Sequence, residues 1–325
     1  MNLTHRVALG VLAVTTLWFA ACAAAQEPAF PVRPVRIIVG FSPGSGNDLI
    51  ARAVGARLSE MWKQPVIVEN KPGASGVIAA EAVSKSPPDG YTLLLGSTSH
   101  LIQAAVNRKP ADAVLEEFAP VAILCTGPLV LEVNSGVPVS TVPELVALAK
   151  SRPLAYGSSG TGTSPHLVAE LFARATGIQL THVPYKGSPP AQADLLGGQT
   201  QLMFQVTQAV LPHVRTGQVK ALAVTGKTRH PDLPNVPTMA EAGVPGAALE
   251  IWWGLLAAPR TPASILRTLN HDILQALGNG EVRKQLAATG VIATGSSPEE
   301  MRSTMREDYA IFSKVVQESN IKPSD

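Results

Sequence analysis

The chain reads as an α/β protein of mostly parallel sheets flanked by helices, on three observations. Short β-branched runs alternate with helical patterns in the order β-α-β-α-β. Two loops rich in glycine and hydroxyl residues, Phe41-Ser42-Pro43-Gly44-Ser45-Gly46-Asn47-Asp48 and Gly157-Ser158-Ser159-Gly160-Thr161-Gly162-Thr163-Ser164, each stand between a strand pattern and a helix pattern. The 325 residues carry no internal repeat and are enough for two domains.

The first unit is the strand Val35-Arg36-Ile37-Ile38-Val39, then a loop, then a helix over 48–62 with Leu49, Ile50, Ala53, Val54, Leu58 and Met61 at helical spacing. A second strand at 66–69, a small-residue helix at 76–84 and a third strand at 92–96 follow, the last running into Ser97-Thr98-Ser99. Successive β-α-β units place strands parallel with helices on both faces, and ligands of such sheets lie beyond the carboxyl ends of the strands. Both the 41–48 loop and the 97–100 segment fall there. The apolar run 118–133 holds Cys125 as a packing residue and marks where the chain leaves its first domain.

The second domain repeats the plan. A helix at 142–150, capped by Ser140 or Thr141, precedes the strand 154–157 and the second glycine-hydroxyl loop. Pro165 suits the first turn of the following helix, because a missing N–H costs nothing there. Strands at 181–184, 202–205 and 219–225 come next, with a helix centred on 191–196. Prolines 231, 234, 237 and 245 break all periodicity before the buried strand at 251–259, and helices at 263–277, 280–288 and 298–318 close the chain. The expected division is 30–130 for the first lobe, 131–250 for the second, and 251–325 returning to the first.

Composition limits the function. Residues 1–25 have Arg6, an apolar run from Val7 and a small-residue Ala23-Ala24-Ala25 end, the pattern of an export signal cleaved before Gln26. The apolar run is short for a spanning helix, and the alternative of lipid attachment at Cys22 is disfavoured by Phe19 and by the adjoining Ala-x-Ala site. Loss of Arg6 takes the formal charge from +2 to +1. Near-neutrality without a Lys/Arg cluster argues against nucleic acid. With one cysteine in the mature chain, stability rests on the core rather than on a disulfide. No Gly-x-Gly-x-x-Gly fingerprint or spaced metal-ligand set is present, and the reading is a binder without a cofactor or metal, not an enzyme. Backbone N–H groups at a helix start, beside short hydroxyl side chains, hold a carboxylate without a buried cation.

A family resemblance sharpens this. The segments Pro34-Val35-Arg36-Ile37-Ile38-Val39, Val68-Glu69-Asn70-Lys71-Pro72-Gly73-Ala74, Pro88-Asp89-Gly90-Tyr91-Thr92, Ser164-Pro165-His166-Leu167, His182-Val183-Pro184-Tyr185-Lys186-Gly187 and Leu233-Pro234-Asn235-Val236-Pro237-Thr238 occur in order along the chain. Together they resemble the Bug family, the extracytoplasmic solute-binding receptors of tripartite tricarboxylate transporters. The resemblance implies a two-lobed periplasmic-binding-protein type II fold, the Venus flytrap, that closes on a small organic acid. It further implies a monomer in the periplasm, handing its ligand to a membrane permease or, alternatively, reporting to a sensor kinase. Carried onto this chain, the ligand-binding positions are Phe41, Pro43, Ser45, Gly46, Asn47, Asp48, Ser97, Thr98, Ser99, His100, Ser158, Ser159, Thr161, Gly162, Thr163 and Ser164.

Several residues carry a plainer reading alongside. Asp48 at a helix entrance suits capping, His166 suits a satisfied structural site, and Lys186 reads equally as an anion attractor or as surface charge. Ser45 and Asn47 replace the glycine and threonine usual in the family's first loop. Gln205 stands where many relatives have aspartate; a neutral amide there weakens an amino-acid ligand and favours a purely anionic one, with Gln208 as a second participant. Trp252 and Trp253 point to opposite faces of a strand, so at most one reaches a cleft.

Overall fold

The computed structural model describes residues 30–318 and residue 321; the expected export signal and Cys22 lie outside the described residues. The compact unit that begins at Arg33 is built on one continuous, strongly curled ladder of strands in the order β2-β1-β3-β9-β4-β7-β5-β6. Its strands are β1 (Val35–Val39), β2 (Val66–Asn70), β3 (Thr92–Ser97), β4 (Ala119–Asn134), β5 (Leu154–Ser158), β6 (Leu180–Pro184), β7 (Leu202–Val206), β8 (Val219–Val224), β9 (Glu250–Ala257) and β10 (Ile292–Ala293). The β-α-β units pair in parallel as the pattern requires, β1 with β2 and β3, and β5 with β6 and β7. The central strands β4 and β9 run antiparallel to their neighbours. The flanking strands β8 and β10 also pair antiparallel, each with β4.

Strand β4 organises the molecule. Residues 119–128 pair with β9, and residues 129–134 pair with β7 on one edge and β8 on the other. One strand of 16 residues therefore serves two half-sheets, and it is buried at nearly every position because both its faces and both its edges are covered. Cys125 lies wholly inside, its thiol pushed up by burial, and is a packing residue.

The described residues form eleven helices: α1 (Gly46–Trp62), α2 (Val77–Ser84), α3 (Thr98–Val106), α4 (Ala111–Glu116), α5 (Val142–Ser151), α6 (Ser164–Thr176), α7 (Ser188–Leu196), α8 (Thr207–Arg215), α9 (Ala263–Gly278), α10 (Gly280–Ala288) and α11 (Pro298–Glu318). The α5 cap is Thr141, whose Oγ1 accepts the Glu144 N–H. In α11, Met301, Met305, Tyr309, Phe312 and Val316 recur at helical spacing and bury against Leu101, Ile102 and Ala105 of α3. Each such side chain contributes about 1.5–3 kcal/mol. That packing returns the end of the chain to the half-sheet containing β1.

Candidate binding site

The loop after β1 is held from below by one carboxylate. Asp48, only 2% exposed, accepts from Gly44 N at 3.0 Å, Asn70 Nδ2 at 2.9 Å and the Arg52 guanidinium at 2.9–3.0 Å. Burial opposes its charge, yet Arg52, Gly44 and Asn70 together hold its carboxyl below the ordinary value. With its oxygens committed to these donors, Asp48 shapes the loop and does not line the cavity beyond it. Ser45 caps α1, accepting the Asp48 N–H. Asn47 follows; its Oδ1 accepts from Trp253 Nε1 at 3.2 Å, which fixes the amide so that Nδ2 points away from that bond. This Nδ2 is buried and has no partner.

The loop after β3 is a direct strand-to-helix junction. Ser97 ends β3 and caps α3, and its N–H donates to Nδ1 of His100 at 3.0 Å. Thr98 Oγ1 accepts the Trp252 N–H at 3.0 Å, joining α3 to β9. Ser99 reaches across to the other half-sheet: its hydroxyl lies 3.1 Å from Ser164 Oγ and accepts the Ser164 N–H at 3.0 Å.

The loop after β5 is built on buried histidines. Ser158 Oγ lies 2.6 Å from His182 Nε2 and accepts the Gly160 N–H at 3.1 Å. Thr163 caps α6, its hydroxyl donating to Gly160 O at 2.7 Å, and the Gly162 N–H donates to His166 Nδ1 at 2.9 Å. His166 and His182 stack with ring centroids 3.9 Å apart, and Tyr156 stacks against both, at 4.9 Å from His182 and 6.2 Å from His166. Burial lowers the two imidazoles to about 3 and about 4. The pair is thus a neutral support, each ring making one hydrogen bond to the loop.

The fourth contribution comes from the end of β7. Gln205 is 2% exposed, and its Oε1 accepts the N–H of Val206 at 2.8 Å. As at Asn47, the carbonyl oxygen is consumed, and the buried Nε2 has no partner.

These four segments converge on one cavity of about 30 Å³, lined by Phe41, Ser45, Gly46, Asn47, Ser97, Ser99, Ser159, Ser164 and Gln205 among the expected residues. The N-terminal ends of α1, α3, α6, α7 and α8 all meet there, through Gly46, Ser97, Ser164, Ser188 and Val206. Each helix start carries a partial positive charge of roughly half an electron. No Lys, Arg, Asp or Glu lines this cavity. Phe41, Ile251, Leu129 and Trp253 form its apolar walls; Trp252 lies on the other face of β9, its Nε1 donating to Asp308.

Other expected positions serve elsewhere. Pro43 is exposed on the outer loop, and Thr98, Ser158, Gly162 and Thr163 hold the backbone as described. His100 lines a different cavity. Thr161 borders a further space of about 210 Å³, with Tyr185 and Lys186, that shares Phe41 and Ser159 with the first. Gln208 lines an outer groove rather than the cavity. Ser188 was not legible as a site residue; its only signal was a position directly after the Tyr185-Lys186-Gly187 segment and before two prolines.

Comparison with known proteins decides the family. Residues 50–321 match the model of the tripartite tricarboxylate transporter family receptor. The chain belongs to this receptor family. Protein BugT of Bordetella pertussis is 36% identical over 326 aligned residues, spanning 99% of both chains. Rpa4515 of R. palustris, with adipate, superposes with a TM-score of 0.85 and 36% identity, over 91% of this chain and 100% of that one. MatC of Rhodopseudomonas palustris, with bound malate, gives a TM-score of 0.81 and 30% identity over 88% of this receptor and 100% of MatC. The fold is accordingly that of a periplasmic binding protein, and the receptor binds solute rather than transforming it.

Proposed function

We propose that this receptor binds a small dicarboxylate in the periplasm and delivers it to a membrane transporter. The observation that carries the reading is the pair of buried, unpartnered NH2 groups, Asn47 Nδ2 and Gln205 Nε2, that border one cavity from opposite half-sheets. Each costs about 1–3 kcal/mol if left without an acceptor. A carboxylate supplies acceptors to both at once, and charge-assisted bonds are roughly twice as strong as neutral ones. Serine hydroxyls 45, 97, 99, 159 and 164 and five helix N-termini complete a shell that favours negative charge without burying a cation.

The second carboxylate of the ligand extends into the adjoining space beside Thr161, Tyr185 and Lys186, where Lys186 supplies a full positive charge. Adipate and malate in the related receptors are of this chemical class. Residues 30–130 with 251–325 form one lobe and 131–250 the other, and a ligand bridging Asn47 and Gln205 stabilises the closed arrangement. Residues 1–25 direct export and are removed before Gln26. Calorimetric titration of the chain from Gln26 onward with malate, adipate, benzoate and lysine tests the proposal. One-to-one binding of a dicarboxylate, with lysine silent, is the expected result; failure of every acid, or equal binding of lysine, refutes it.

A further inference from the structure

The space of about 210 Å³ beside the interlobe cavity is walled by both half-sheets, with Gly40, Phe41 and residues 73–75 on one side and residues 159–161 and 184–186 on the other. The two walls differ in what they offer. The second carries the hydroxyls of Ser159 and Thr161 and the Lys186 ammonium, while the Tyr185 hydroxyl is spent on Asp194 at 2.5 Å. The first carries a single polar side chain, that of Ser75.

Ser75 stands in a strained turn. Residues 73–76 have φ of +136°, +44°, +53° and +97°, so Ala74 and Ser75 follow one another in the left-handed region between two glycines. Residues with a side chain enter that region rarely, because Cβ crowds the following carbonyl oxygen. The turn is closed by the Gly76 N–H on Gly73 O at 3.0 Å and tied to β1 by the Lys71 N–H on Val39 O at 2.8 Å. Strain of this kind persists only where the surrounding structure imposes it, and it collects at ligand clamps.

The turn brings the Ser75 hydroxyl close to the opposite wall. A Cβ built on Gly160, which lines the same space, would lie 2.6 Å from Ser75 Oγ and 3.3 Å from the Tyr185 carbonyl oxygen, so only glycine leaves room there. Ser75 is half-buried, and its Oγ remains solvent-accessible. Among the described residues this hydroxyl has no hydrogen-bond partner, and its proton is free for an acceptor in the space. We propose that Ser75 determines selectivity for a second carboxylate, its hydroxyl donating to that group from the first wall, opposite Thr161 and Lys186. The inference rests on the dicarboxylate reading above and makes the distal end of the ligand a second bridge between the half-sheets. A hydroxyl-carboxylate bond is charge-assisted, whereas a methyl group in the same place gives the hydroxyl nothing.

Titration calorimetry with two matched pairs tests this: adipate with hexanoate, and malate with 2-hydroxybutyrate, each second member carrying a methyl in place of one carboxylate. The parent should prefer at least one diacid over its monoacid by about tenfold or more. Ser75→Ala should weaken that diacid by about fivefold or more and leave the monoacid within about twofold. Ser75→Gly should bind the diacid as weakly as Ser75→Ala yet melt above the parent without ligand, since glycine enters the left-handed region freely. A serine that only shapes the turn would gain that stability and keep the affinity, which overturns the proposal. No preference for either diacid in the parent, or an equal loss of both members of a pair, also overturns it and leaves the dicarboxylate reading standing. A parent that binds neither diacid removes that reading and this inference together.

Discussion

Asn47 and Gln205 share a device: each spends its amide oxygen on a nearby N–H, so that only NH2 is left for a ligand. Replacing either by leucine should weaken dicarboxylate binding about 10–100-fold, roughly 1.4–2.7 kcal/mol, by calorimetry. Gln205→Glu should be worse than Gln205→Leu, since it adds a charge of the ligand's own sign; equal losses would show that the amide only fills space. Both positions stand out in the sequence as departures from the family pattern. The way each amide faces does not, because it depends on Trp253, which is 206 residues distant from Asn47, and on the neighbouring Val206 backbone. Glu132 is a second buried polar residue with an outcome to measure. It accepts from Gln192 Nε2 at 3.2 Å, while its Oε1 and the Gln192 Oε1 lack donors, and burial raises its carboxyl to about 8 from 4.5. Folded and protonated, it contributes its stability in full below pH 4.5; that contribution is lost as pH rises through about 8, where the folded state must bury a charge. Glu132→Gln keeps the shape, never ionises and can donate to Gln192 Oε1. Its melting temperature should exceed that of the parent at pH 8 and match it near pH 4.5, in calorimetric scans.

The elements that matter most are strand-to-helix junctions, and their legibility varied with how the junction is capped. The first and third, at 41–48 and 157–164, announce themselves through glycine and hydroxyl runs. Helix α3 was not legible, because Ser97-Thr98-Ser99 reads as the polar end of a strand. In the fold, Ser97 keeps extended dihedrals and caps α3 at the same position, so no loop intervenes to signal the change. Helix α8 hides similarly behind Gln205 and Val206, with Pro212 inside it. The 157–164 junction has its own point of failure. Gly162 has φ +70°, and a Cβ built there would lie 2.2 Å from Gln103 Oε1 on α3. Gly162→Ala should therefore lower stability by about 1–3 kcal/mol through backbone strain and crowding. Chemical denaturation measures it, and adding Gln103→Ala should recover the crowding part alone.

For the whole molecule, the antiparallel placement of β4 and β9 was the feature least legible from the chain, since periodicity reports that a strand is buried but not which way it runs. What the pattern did reveal, the apolar stretch at 118–133, proved to be the spine of both half-sheets. Across the gap, Ser99 meets Ser164 and the Ser42 hydroxyl donates to Lys186 O at 2.6 Å. Acid should act on the whole structure through its buried imidazoles. His100 and His182 are lowered to about 4 and His166 to about 3 from 6.5, all by burial. Stability from these neutral rings is complete above pH 6.5 and is lost as pH falls toward 4, each contributing a slope of up to about 1.4 kcal/mol per pH unit. Melting temperatures measured from pH 7 down to pH 4 should fall steeply, and replacing His166 by glutamine should reduce that slope even if it lowers the starting value. Strand β4 has a practical corollary. The first and last described elements, β1 and α11, both pack in the same half of the fold, so everything from β5 to β8 is a loop of chain anchored at both its ends. Dyes attached near those two elements would travel together and stay silent on closure. A dye at the exposed Ser135-Gly136 turn, paired with one on α11, would instead turn each capture of solute into a change in energy transfer.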